Sequence, residues 1–129
     1  MKTNYLITAF LFALVILSSC SGSDVYRGNW KATDAEGKKY EINFEPKKFS
    51  IKNQDGKIDT FEYTQNSVKI ENSVTTYGIQ VNDGRTYSIF FPIANDTSKG
   101  VILFQNNQPV YTISRSSYIQ YKELYTLNK

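Results

Sequence analysis

The stretch KKYEINFE (residues 38–45) alternates strictly between apolar and polar side chains. Tyr40, Ile42 and Phe44 fall on one side; Lys39, Glu41, Asn43 and Glu45 fall on the other. A period of two belongs to a strand, because successive Cβ atoms of an extended chain point to opposite faces. One apolar and one polar face is the pattern of an antiparallel sheet with one side in water. The alternation returns in TTYGIQVN (75–82), with Tyr77, Ile79 and Val81 in phase, and in RTYSIFFPI (85–93), with Tyr87, Ile89, Phe91 and Ile93 in phase. Shorter runs repeat it with Phe49 and Ile51, Phe61 and Tyr63, Val68 and Ile70, and Tyr111 and Ile113.

Turn chemistry separates these runs. Asp55-Gly56 and Asp83-Gly84 are expected to be tight hairpin turns whose two central residues both take positive φ. Glu36-Gly37, Glu45-Pro46, ANDTSKG (94–100) and NNQP (106–109) supply further breaks. Pro92 suits an edge or a bulge, and a change of phase near Ile58–Phe61 predicts a bulge there. In the tail, 116–129, Tyr118, Tyr121 and Tyr125 fit one face of a helix capped by Ser116 or Ser117. The same tail also reads as a last strand from Tyr121 to Leu127, and a strand is the expectation adopted. The chain is thus expected to be all-β, a small antiparallel β-barrel or a sandwich of about 8–10 short strands, since an open meander of that length leaves two exposed edges. One domain, residues 26–127, accounts for it.

Composition excludes several chemistries. The 129 residues contain no histidine and one cysteine, Cys20. A Ser-His-Asp triad, a Cys-His dyad and a histidine metal site are therefore impossible. The carboxylate pairs Asp34/Glu36 and Asp55/Asp59 lie in or beside turns, where solvated acids are ordinary. Asp96 with Asn95 offers two oxygens where calcium needs six to eight. No enzyme activity, cofactor or metal is expected. The formal charge of +3 falls to +2 without Lys2, with both signs interspersed, so nucleic acid is not an expected partner. Lys38-Lys39 and Lys47-Lys48 flank one strand as the basic clusters.

The N-terminus has a different character. MKTN carries one positive charge and is followed by YLITAFLFALVIL (5–17), thirteen residues without a charge. As a helix that run spans roughly 20 Å, short of a bilayer core of about 30 Å. Basic start, apolar middle and small residues after it are the anatomy of a secretory signal peptide, residues 1–19. Leu17-Ser18-Ser19-Cys20 resembles the lipobox of bacterial lipoproteins. That resemblance implies cleavage between Ser19 and Cys20, and a diacylglyceryl thioether on Cys20 with acylation of its amine. Residues 20–25 would then be a lipidated tether. Several acyl chains, at about 0.8 kcal/mol per buried methylene, anchor a protein effectively permanently. Ser21, not aspartate, follows the cysteine. The inner-membrane retention signal known in enteric bacteria is therefore absent, and outer-membrane placement on either face is implied.

Gly28-Asn29-Trp30 resembles the Gly-x-Trp signature of lipocalins and related calycin barrels. In those folds the Trp plugs the closed end of the barrel and an Arg from a late strand packs across it. Arg115 shares strand phase with Tyr111 and Ile113, so the resemblance implies a barrel-closing pair of Trp30 and Arg115. The expected function is a lipid-anchored, non-enzymatic envelope module that captures a small apolar ligand or a glycan. The alternative is a protein partner, with the chain acting as an immunity protein against an envelope-delivered toxin or as an accessory subunit of an outer-membrane complex. A cavity of at least about 300 Å³ lined by Tyr40, Phe44, Tyr87 and Phe91 would favour the ligand. A filled interior with an exposed aromatic or charged patch would favour the protein partner.

Overall fold

A computed structural model describes residues 22–126. The signal segment 1–19, the Ser19–Cys20 junction and residues 127–129 lie outside the described residues. The described residues form eight strands: β1 (Gly28–Thr33), β2 (Lys39–Phe44), β3 (Lys48–Lys52), β4 (Ile58–Glu71), β5 (Val74–Val81), β6 (Thr86–Phe91), β7 (Lys99–Phe104) and β8 (Pro109–Ser114). One helix follows, α1 (Tyr121–Thr126). Each strand pairs antiparallel with the next, and β8 pairs back onto β1 through Lys31 opposite Ser114 and Thr33 opposite Thr112. The sheet therefore closes into an up-and-down barrel, and closure removes both edges.

Register carries the alternation inward. Trp30 lies opposite Ile42, Ile42 opposite Ile51, Phe49 opposite Phe61, Ile79 opposite Tyr87 and Ile102 opposite Tyr111, so the in-phase apolar residues of the eight strands share the interior. Two expected strands, around Phe61 and around Val68, are one fourteen-residue strand. Its bulge lies between Gln65 and Ser67; from Ile58 to Glu62 the pairing with β3 is regular. Ile58 is simply an outward, exposed residue. Gly78, opposite Ser67, gives the bulge room, since the Asn66 and Ser67 side chains lie where its Cβ would be.

The turns at one end of the barrel follow a single plan. In 34–38, 53–57, 81–85 and 104–108 the first and fifth residues exchange a backbone hydrogen bond, and the fourth residue takes positive φ. That fourth residue is Gly37, Gly56, Gly84 or Asn107. These are type I turns closed by a left-handed residue. The two-residue form with both central φ positive, expected at Asp55-Gly56 and Asp83-Gly84, occurs instead at Asn72-Ser73 between β4 and β5.

The tail corrects the strand expectation: Tyr121–Thr126 is helical. It packs against β7 and β8 rather than pairing with a strand. The Gln120 N–H donates to the Glu123 carboxylate at 3.2 Å, one half of a capping box. Leu124 and Ile119 are buried against Val101, with Phe90, Ile93 and Leu103 around them. Ile93 does not continue the inward phase of β6; the strand ends at Phe91, and Ile93 joins this outer cluster.

Candidate functional site

The barrel has two unlike ends. At the end where the chain arrives from the N-terminus, the interior is full. Tyr26 meets Phe44 edge to face at 5.4 Å and packs tilted against Tyr77 at 5.2 Å. Phe44 packs on Phe49 at 5.3 Å, and Trp30 on Phe91 at 5.9 Å. The Trp30 indole N–H donates to the Tyr26 carbonyl at 2.8 Å, which satisfies its one polar atom.

Arg115 covers this plug from outside. Its guanidinium lies 3.7 Å from the Trp30 ring centroid. Nη1 donates to the Asn29 carbonyl and Nη2 to the Val25 carbonyl, each at 3.0 Å. The fork thus stitches β8 to both sides of Trp30, with a cation–π contact beneath it. Gly28 permits this approach: it has φ +93°, and Nη1 sits 3.3 Å from where a Cβ would stand. The two residues that the Gly-x-Trp resemblance paired are in contact.

The opposite half is hollow. A cavity of about 260 Å³ opens among the four short turns. Its walls are Tyr40, Ile51, Phe61, Tyr87, Ile102 and Tyr111, with Phe44 and Phe49 as the floor. Asn53, Lys57, Asp59 and Arg85 stand at the rim. The volume is somewhat below the 300 Å³ expectation. Of the four expected lining residues, Tyr40, Phe44 and Tyr87 line it. Phe91 does not: as the last residue of β6 it belongs to the packed half, against Trp30 and Tyr77.

The walls are held rather than loose. Tyr40 and Tyr111 meet edge to face at 5.2 Å, and the Tyr40 hydroxyl donates to Asp34 at 3.0 Å. Arg85 is clamped by Asp83, with Nε and Nη2 each 2.8 Å from Oδ2. It also lies over the Phe61 ring at 5.3 Å and donates to the Tyr87 hydroxyl at 3.1 Å. Burial pushes Tyr111 up to about 12, with the Tyr40 hydroxyl adding to it. Tyr40 is raised as well, by burial and by its bond to Asp34. Both phenols stay neutral at physiological pH, so the wall is apolar with hydroxyl groups rather than charged. Asp34 is occupied as a turn cap, accepting from the Glu36 and Lys38 amides.

Other features do not converge on this site. Lys38-Lys39 lies at the mouth and Lys47-Lys48 at the plugged end, so the two basic clusters do not form one patch. Among the described residues no three His, Cys, Asp or Glu side chains group as a metal site. A wider concavity of about 640 Å³ lies outside the wall, bounded by Pro46, Lys47, Glu62, Thr64, Gln80 and Asn82. Thr64 and Gln80 are outward-facing polar side chains, and Pro46, Tyr63 and Val81 add apolar surface, so it is an open fold in the surface of mixed character. Cys20 lies outside the described residues. Sequence phase identified most of the wall, but not the rim: Asp83 read as a turn residue and Arg85 as the start of the run 85–93. Comparison of the chain with protein-family models and with curated proteins finds no match to either.

Proposed function

We propose that this chain is a lipid-anchored lipoprotein of the bacterial outer membrane, tied down through Cys20, whose barrel is a non-enzymatic binding module for a small apolar ligand. The observation that carries the binding half is the mouth cavity, ringed by aromatics and open to solvent at the end away from the N-terminus. An anchor at Cys20 holds the plugged end toward the bilayer and leaves the mouth free. A dry cavity of about 150 Å³ accepts a benzene-sized molecule, so about 260 Å³ suits a bicyclic ring or a short acyl segment. The rim groups Asn53, Lys57, Asp59 and Arg85 then meet the ligand's polar end. A glycan fits less well, because its many hydroxyls would be buried against ring faces.

A titration of 2-naphthol, followed by its own fluorescence, tests this. Saturable one-to-one binding is expected. Ile51→Trp, which extends a large side chain from the wall into the cavity, is expected to abolish binding while leaving the far-ultraviolet spectrum of the barrel in place. Absence of saturable binding by the folded wild-type protein would overturn the ligand reading.

One observation favours the alternative, a protein partner such as a toxin or an outer-membrane assembly. Tyr121 and Tyr125 are 43% and 42% exposed on α1, their rings meeting edge to face at 5.2 Å. Exposed paired tyrosines suit a recognition surface. They lie on the outer wall, where Tyr121 borders the 34–37 turn and Gln108 on the outer side of the mouth, and neither lines the cavity, so loss of partner binding on Tyr121→Ala with 2-naphthol binding intact would support this second reading.

A further inference from the structure

The strand alternation runs past the point where it has a core to fill. At this end of the barrel β3 begins only at Lys48, opposite Glu62. β4 continues to Glu71 and turns at Asn72-Ser73 into β5. Over this extension Val68 lies opposite Tyr77 and Ile70 opposite Thr75, so both valine and isoleucine share the barrel's interior face. Yet they are 54% and 68% exposed. Lys69 and Glu71, ion-paired at 3.5 Å, occupy the other face. The hairpin is therefore an amphipathic ribbon whose apolar side has no protein to cover it among the described residues. Val25, exposed in the turn that leads into β1, adds to the same end.

This end is also where the chain arrives. The Ser23 N–H and the Tyr26 hydroxyl both donate to the Gln65 side chain at 2.9 Å. Gly22 stands beside Gln65 as well, its Cβ position 3.3 Å from the Gln65 Cβ. Cys20 is two residues before Gly22, and two residues reach at most about 7 Å. Ile70 is five residues beyond Gln65, about 16 Å at a strand rise near 3.3 Å. With the usual barrel tilt of about 40°, that is about 12 Å along the axis. A glyceride held within about 7 Å of Gly22 thus brings the bilayer surface to a hairpin that projects farther than the tether extends.

We infer that the β4–β5 hairpin seats on the membrane, with Val68 and Ile70 in the acyl boundary and Lys69 at the headgroups. This rests on the lipoprotein reading above. The bilayer is the occupant because the anchor puts it there and because the ribbon's two faces match an interface with hydrocarbon on one side and charge on the other. The seat makes a second point of attachment, so the barrel stands with its mouth directed away from the lipid.

Lipidation removes the only native thiol, so a single introduced cysteine can be labelled in the mature protein. Full-length Ile70→Cys and Val68→Cys, and Gln54→Cys in a turn at the mouth, are expressed, labelled with an environment-sensitive nitrobenzoxadiazole dye and placed in phosphatidylethanolamine–phosphatidylglycerol vesicles. The dye at positions 68 and 70 is expected to shift its emission to the blue and to be quenched by doxyl-labelled lipid; the dye at position 54 is expected to do neither. Water-like emission at 68 and 70, with intact mass showing the acyl chains on Cys20, would overturn the seating and leave the anchor standing. An intact mass without acyl chains, with dye on Cys20, would overturn both.

Discussion

Trp30→Ala should lower the unfolding free energy by about 3–5 kcal/mol, the range for removing a fully buried large aromatic side chain. Trp30 is 1% exposed and plugs the closed end of the barrel. The substitution removes its packing on Phe91, its bond to the Tyr26 carbonyl and the ring face under Arg115. For a domain of about 100 residues this corresponds to a fall in Tm of at least about 12 °C. Arg115→Lys should cost less but in the same place, since an ammonium has neither the planar face to stack nor the fork that reaches two carbonyls. Urea unfolding of the two variants and of the double variant checks the coupling. If the two effects simply add, the stacked pair is not one unit.

Gly100→Ala should destabilise by about 1–3 kcal/mol, and Gly100→Val by more, through overpacking. Alanine in place of a strand glycine ordinarily helps by about 0.5–1 kcal/mol, so the expected sign is the reverse of the usual one. The reason is local. A Cβ on Gly100 would lie 2.7 Å from the Phe90 carbonyl oxygen and 2.8 Å from Cδ1 of Phe91. The first contact is with backbone inside a closed sheet, which cannot move without dragging the β6–β7 pairing with it. Thermal unfolding of the alanine and valine variants decides this; an unchanged or raised Tm for Gly100→Ala would show that the wall yields.

What was legible in the sequence follows from geometry that is local along the chain. Alternation in 38–45, 75–82 and 85–91 marks the inward faces because the side-chain period of a strand does not depend on its neighbours. Arg115 and Trp30 could be paired on strand phase and the Gly-x-Trp resemblance together. The features that were missed depend on what lies beyond the strand. The outer cover of α1 shows only indirectly, as the absence of alternation in GVILF (100–104) and at Phe90, where both faces of the sheet are apolar because both are buried. The tight hairpin at Asn72-Ser73 lacks glycine, and its two positive φ values fall on asparagine and serine. The division of the interior into a filled and a hollow half is not a property of any strand. It arises because seven rings, Tyr26, Trp30, Phe44, Phe49, Tyr63, Tyr77 and Phe91, cluster toward one end, while Ile51, Ile102 and wall-held tyrosines line the other.

That division is what gives the proposed function its direction: a plug toward the anchor, an aromatic cup toward the solvent. Mass spectrometry of the intact protein, extracted from the bacterial envelope without denaturation and then unfolded in the instrument, tests it most directly. The account predicts a chain of residues 20–129, heavier by a diacylglyceryl group and an amine-linked acyl chain at Cys20, that releases one small apolar molecule as the barrel opens. A chain that keeps residues 1–19 and a free thiol, and that releases nothing, would contradict it.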